Sequence, residues 1–168
     1  MARSNRLKKT TRKRIARRQR RFESLESRTL LAADFIAAPI DAVITPVPPE
    51  GLLVIEGTEE ADVIRVFVTG ERLNVVVNGE LEQHDNSAID RIHIHAKDGN
   101  DRVHVSANVF QSTWTWAGNG HDTVQSGSGN DYVNGGAGND RLGGGFGNDL
   151  VTGRDGNDTV AGQFGNDA

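Results

Sequence analysis

The chain has 168 residues, 36% of them apolar and 5% aromatic, with 20 glycines and no cysteine. That is length for one domain and a tail, with too little apolar bulk for a thick core and no disulfides to compensate. The net charge of −4 joins two opposed halves: residues 1–28 carry twelve Lys/Arg against two Asp/Glu, net +10, and residues 29–168 carry seven against twenty-one, net −14. Tail and body are separate physical objects.

The tail opens MARSNRLKKTTRKRIARRQRRFESLESRTLLAADFIAAPI. A block this basic cannot bury itself, so residues 1–38 are expected to be mostly disordered. Its charge suits an anionic partner, but it has almost no aromatic residues to stack on bases, so nucleic acid is not the expected partner. As an export signal, Leu30–Ala33 and Phe35–Ala38 are short and broken by Asp34, which also rules out a membrane span here. The run Phe22–Ala32, FESLESRTLLA, resembles the LEPR-XLL segment of large bacterial surface or exported proteins, with Ser27 where that motif has Pro. The resemblance implies a targeting role. Residues 39–50 hold all four prolines and read as an extended linker, so folding is expected to start near Gly51.

From 52 to 116 the pattern is β. Ile64, Val66 and Val68 alternate with polar or exposed positions, as do Leu73, Val75 and Val77, then Ile92 and Ile94, then Val103 and Val105. Asn78-Gly79 marks a tight turn between short strands. No helical period appears, and the segment 51–116 is expected as an irregular β lead-in. His93 and His95 share one strand face, and a transition metal with His104 is weighed against a plain polar face. Trp114 and Trp116 also share a face, where a carbohydrate platform is weighed against packing.

From 117 the chain is an array. Gly-x-Asp triplets end at Asp122, Asp131, Asp140, Asp149, Asp158 and Asp167, each nine residues after the last. Two residues beyond each of the first five comes Val124, Val133, Leu142, Val151 or Val160. The spacing predicts a six-residue turn ending in Asp, followed by a three-residue strand with one inward side chain. Such units build a parallel solenoid in which two nonapeptides make one coil. Glycines supply the positive φ of the turns, and Asn130, Asn139, Asn148, Asn157 and Asn166 suit the left-handed region. Stacking every second repeat brings Asp122 to Asp140 to Asp158, and Asp131 to Asp149 to Asp167. Like charges so placed oppose folding unless neutralised. Carboxylates with turn carbonyls form an oxygen-only cage that suits Ca²⁺ over Zn²⁺ or copper, with up to four complete sites. On that register Asp140 serves two sites, so its loss is expected to cost more than the loss of Asp122.

The units resemble the RTX, or hemolysin-type, calcium-binding nonapeptide repeat, Gly-Gly-x-Gly-x-Asp-x-(apolar)-x. GGAGNDRLG at 135–143 and GGFGNDLVT at 144–152 fit every position. The resemblance implies Ca²⁺ held by the side chains of Asp122, Asp131, Asp140, Asp149, Asp158 and Asp167. It also implies ligation by turn backbone at Gly120, Gly129, Gly136, Gly138, Gly145, Gly147 and Gly156. KDGNDRV at 97–103 extends it more loosely to Asp101. The departures are Ala117 and Ser126 at the first Gly, Arg154 and Gln163 at the second, and His121 for Asn. Arg154 is expected to weaken the 153–158 turn as a cation site. The family and the parallel-crossover rule imply a right-handed, all-β parallel roll.

No His-Glu-x-x-His, Gly-x-Ser-x-Gly or Cys nucleophile is present, so no catalytic role is expected of this chain. The array stops one residue before its next apolar position, which reads as a fragment or truncated frame. The expected function is calcium binding by a secreted or surface module of a larger bacterial protein, with cell-surface or matrix components as further partners. The alternative is a piece of a secreted enzyme, toxin or adhesin whose active part lies elsewhere.

Overall fold

The computed structural model describes residues 43–45 and 51–168. The basic tail, the LEPR-XLL-like run and most of the expected linker lie outside the described residues. Apart from a 3-10 turn at Asn86–Ala88, every described element is a strand. No helix among the described residues is long and apolar enough to cross a membrane.

Among the described residues, thirteen strands form two sheets. The first sheet runs β1 (Val43–Thr45), β2 (Leu52–Glu56), β6 (Arg91–His95), β8 (Ser112–Asn119), β10 (Tyr132–Ala137) and β12 (Leu150–Asp155). The second runs β13 (Thr159–Phe164), β11 (Arg141–Phe146), β9 (Thr123–Gln125), β7 (Arg102–Val105), β3 (Val63–Thr69), β4 (Arg72–Val77) and β5 (Glu80–Asp85). All pairings are parallel except β1–β2 and the β3–β4–β5 meander. Consecutive strands fall in opposite sheets from β6 onward, which is a two-sheet solenoid.

The solenoid begins much earlier than the repeat does. Ile55, Ile94, Thr115, Val133 and Val151 stack in one sheet, at steps of 39, 21, 18 and 18 residues. In the other, Ile64, Val103, Val124, Leu142 and Val160 stack at the same steps. The lead-in expected over 51–116 therefore supplies two of the five strand pairs and most of β8 in the third. Its first coil is lengthened by the meander β4–β5, which turns at Asn78 and Gly79 with φ of 51° and 91°, as a two-residue hairpin requires. The second coil carries three extra residues in the loop before β8.

Pairing in the array is also longer than the three residues expected. Strands β10 to β13 each run six residues, so the ladder continues through the first half of every turn. Identical turns stacked in register keep their N–H and C=O groups opposed, and nothing in the turn has to break the ladder.

Inward positions change character along the axis. The first two coils bury Leu53, Ile55, Ile64, Val66, Ile92, Ile94, Val103 and Val105. The later coils point Asp, one apolar residue and Gly inward, as in Asp140, Leu142 and Gly144. The expected thin core is the property of the repeat, and the earlier coils are packed conventionally.

Candidate metal centre

The carboxylates form two columns, one at each edge of the solenoid. Along the first, the Asp62 amide donates to Asp101 Oδ1 (2.8 Å), Asp101 to Asp122 (2.8 Å), Asp122 to Asp140 (2.9 Å) and Asp140 to Asp158 (2.9 Å). Along the second, Thr113 donates to Asp131 (2.7 Å), Asp131 to Asp149 (2.9 Å) and Asp149 to Asp167 (3.0 Å). Every sequence-predicted Asp therefore lies in a column, Asp101 included. Asp62, outside the repeat, heads the first.

One oxygen of each carboxylate is thus committed to the backbone of the neighbouring coil. The other is not. Oδ2 of Asp101, Asp122, Asp131, Asp140 and Asp149 is buried without a hydrogen-bond partner. Burial raises all five carboxyls: Asp101 and Asp131 to about 7, Asp122 to about 6, and Asp140 and Asp149 in the same direction. Desolvation is the largest cause in each case. Backbone donors oppose it, and the next carboxylate in the column adds to it.

Glycine makes the space these carboxylates occupy. A Cβ on Gly135 would collide with Asp140 Oδ2 and with the Gly153 carbonyl. At φ +141°, a Cβ on Gly138 would strike the Gly120 carbonyl one coil away. Turn carbonyls and carboxylate oxygens thus share one narrow edge. Hard, buried, unpartnered oxygens of negative charge are the donor set Ca²⁺ takes. The residues present fit that ion.

Asp62 has no such unpartnered oxygen. Thr58 donates its amide to Oδ2 (2.6 Å) and Asn78 its carboxamide to Oδ1 (2.6 Å). Protein donors satisfy the first carboxylate, and the unpartnered series begins only at Asp101. The second column lacks early members altogether, because Leu53, Ile92 and Thr113 stand where Asp131 and Asp149 stand later.

The asparagines do a different job from the one expected. None in the array has positive φ; among the described residues the non-glycine cases are Asn78, Lys97, Arg154 and Gln163. Instead three of the five amide oxygens accept from the amide one coil on: Asn130 from Asn148 (2.9 Å), Asn148 from Asn166 (3.0 Å) and Asn139 from Asn157 (2.8 Å). His121 keeps the ladder by accepting at Nδ1 from Asn139 (2.9 Å). This ladder knits the turns beside the carboxylates. Its sequence signal was the nine-residue recurrence of Asn, whose partner is visible only once the coils are stacked.

Arg154 sits at φ 80°, where the equivalent Gly136 and Gly118 have 108° and 111°. With the Asn134 carboxamide turned to the orientation its neighbours favour, its oxygen accepts from the Arg154 guanidinium Nε and Nη2 at 3.3 and 3.2 Å on the outer sheet face. The charge expected to weaken the 153–158 turn is thus engaged on that face. Its cost is conformational. Relieving a left-handed residue returns about 1–2 kcal/mol, less the chain entropy of an added glycine, about 0.5–1 kcal/mol. Arg154→Gly should therefore raise the urea midpoint of the calcium-loaded chain by a small, measurable amount; a lowered midpoint would show that the Asn134 contact outweighs the strain.

The other candidates separate. His93 and His95 face out of the first sheet and His104 out of the second, so the three do not form a site. His93 stacks on Trp114 (5.1 Å, 8°) and His95 on Trp116 (4.6 Å, 2°), with Tyr132 tilted against both indoles. Each indole thus gives one face to an imidazole, which is cross-strand packing. Burial lowers the His93 pKa, with His95 and Arg91 adding to it.

The family model for the RTX calcium-binding nonapeptide repeat matches residues 116–151 and 144–168, as four copies. No curated protein and no solved structure matches the chain. Together with the stacked Asp columns, that match makes residues 116–168 an array of RTX calcium-binding repeats.

Proposed function

We propose that this chain is an extracellular calcium-binding module whose C-terminal coils fold on binding. The observation that carries the reading is the set of five buried, unpartnered Oδ2 atoms at Asp101, Asp122, Asp131, Asp140 and Asp149. Bound Ca²⁺ would supply the positive charge these oxygens lack. The chain's own residues do the rest. Backbone amides fix one oxygen of each carboxylate, glycines keep the edge open, and the Asn ladder holds successive turns in register. Asp158 and Asp167 complete the two columns as ligands, with Asp101 as a further one and the turn carbonyls beside them.

The extracellular assignment rests on affinity. Sites of this kind suit free Ca²⁺ at millimolar level, as outside the cell, where extracellular modules bind with Kd of about 10⁻⁴–10⁻³ M. At the far lower calcium inside a cell the array would remain loose, which favours passage through a narrow export channel. We assign the module to a larger secreted or surface protein of bacterial type, in keeping with the LEPR-XLL-like run.

Calorimetric titration of the full chain with Ca²⁺ at pH 7.5 and pH 6 tests this. The sign follows from the raised carboxyls. At pH 7.5 Asp101, Asp122 and Asp131 are largely available as carboxylates, whereas at pH 6 protons compete with the ion. Affinity should fall between the two. The calcium-free chain should do the reverse. Its raised carboxyls oppose folding as pH climbs from about 4 toward 7, so acidification should restore β signal to it. Absence of binding heat at both pH values would reject the reading.

A further inference from the structure

We propose that the outer face of the second sheet is a docking surface for a linear anionic polysaccharide, one bearing carboxylate or sulfate groups. The outward positions of β3, β7, β9, β11 and β13 form two rows along the axis. One reads Val63, Arg102, Thr123, Arg141, Thr159 and the next Arg65, His104, Gln125, Gly143, Ala161. None of these positions is Asp or Glu, on a body that carries net −14 from residue 29 onward. Arg65, Arg102, His104 and Arg141 are all exposed, and none has an ion-pair partner among the described residues. Along these five strands, an otherwise acidic protein carries no carboxylate and leaves the cations unpaired; the nearest carboxylate on that face is Asp85, out on the β5 edge.

The layout favours an extended chain of sugars. Arg102 and Arg141 stand two strands apart, roughly 9.5 Å along the axis, with the Thr123 hydroxyl between them. Guanidinium groups grip carboxylate or sulfate oxygens through paired hydrogen bonds. The hydroxyl and amide side chains between them match sugar hydroxyls. Gly143 and Ala161 add almost no relief, and the Gln125 and Gln163 carboxamides bond to each other across Gly143 (2.9 Å), leaving a polar shelf. Duplex DNA fits worse, because a flat sheet does not enter a groove. Single strands would need exposed aromatic rings on these rows, and there are none. The first row borders a calcium column, Arg102 following Asp101 and Arg141 following Asp140, but its side chains point to the opposite side of the sheet from those carboxylates.

The test uses the full chain with the Lys and Arg residues of 1–21 replaced by Gln, so that the basic tail does not dominate. Chondroitin sulfate is the probe, in calcium-containing buffer, with neutral dextran, duplex DNA and phosphatidylserine vesicles alongside. We expect salt-sensitive binding to chondroitin sulfate and none to dextran. The triple variant R65Q/R102Q/R141Q should bind at least tenfold more weakly, with an unchanged far-UV spectrum, and R65K/R102K/R141K, which keeps the charge but loses the paired hydrogen bonds, should fall between it and the parent. Should the triple variant misfold, Arg141→Gln alone should still weaken binding by roughly threefold for the loss of one charge contact. Unchanged affinity in either Gln variant overturns the proposal. So does tighter binding of DNA or vesicles through the same arginines.

Discussion

Chelating calcium from the folded chain should release the last coils and leave the first ones paired. In hydrogen exchange with EDTA, amides of β10 to β13 should lose most of their protection, while those of β2, β3, β6 and β7 stay slow. The reason lies in what each part buries. Coils one and two are sealed by Leu53, Ile55, Ile64, Val66, Ile92, Ile94, Val103 and Val105, with Leu73, Val75 and Val77 added by the meander. Their only fully enclosed carboxylate ahead of Asp101 is Asp62, which Thr58 and Asn78 satisfy. In β9 to β12 each strand has one inward Val or Leu, set against a carboxylate with an orphaned oxygen. An unpartnered buried polar atom costs about 1–3 kcal/mol, more when charged. Four of the five stand in the later coils and only Asp101 in the second, and four together rival the whole stability of a typical domain, about 5–15 kcal/mol. Without a cation the later coils cannot hold; the earlier ones can. Far-UV CD should accordingly fall in part, and calcium should restore it. Uniform loss of protection along the chain would show that the first coils depend on the columns as well. Uniform retention would show that the columns fold without a cation.

What the sequence made legible follows the same division. A step of nine with Asp and an apolar residue at fixed places is enough to derive half-coils, stacking partners and a calcium donor set from 117 onward. The earlier coils hide because their steps are 39 and 21 residues, stretched by the β4–β5 meander and by the loop before β8. Asp62-x-Ile64 and Asp101-x-Val103 keep the repeat's inward pair in the second sheet. In the first sheet Leu53, Ile92 and Thr113 replace the Asp, so the period-two strands read as an ordinary β segment. Side-chain ladders were equally out of reach. His93 meets Trp114 and His95 meets Trp116 across 21 residues, a pairing that only the strand register reveals. The same holds for Asn139 and Asn157, whose hydrogen bond replaces the left-handed backbone the residue type suggested.

The hidden coil also changes which aspartate matters. With Asp122 as the first rung, its loss should be milder than that of Asp140. The structure places Asp101 beyond it, so Asp122 stands between Asp101 and Asp140 as Asp140 stands between Asp122 and Asp158. Each accepts one amide and presents a buried free oxygen to the edge. Asp122→Ala and Asp140→Ala should therefore raise the calcium concentration at half-folding by similar factors, roughly tenfold each, or about 1.4 kcal/mol. Asp62→Ala should behave differently. Its carboxylate is satisfied by protein donors, so the variant should weaken the first coil against urea even in EDTA, where the two column variants should match the parent. Calcium titrations followed by CD, paired with urea melts in chelator, separate the cases. If Asp122→Ala proves clearly milder than Asp140→Ala, Asp101 does not act as a ligand and the calcium column starts at Asp122. Equal shifts would carry it one coil beyond the matched repeats, into the part of the chain where the period of nine has already been lost.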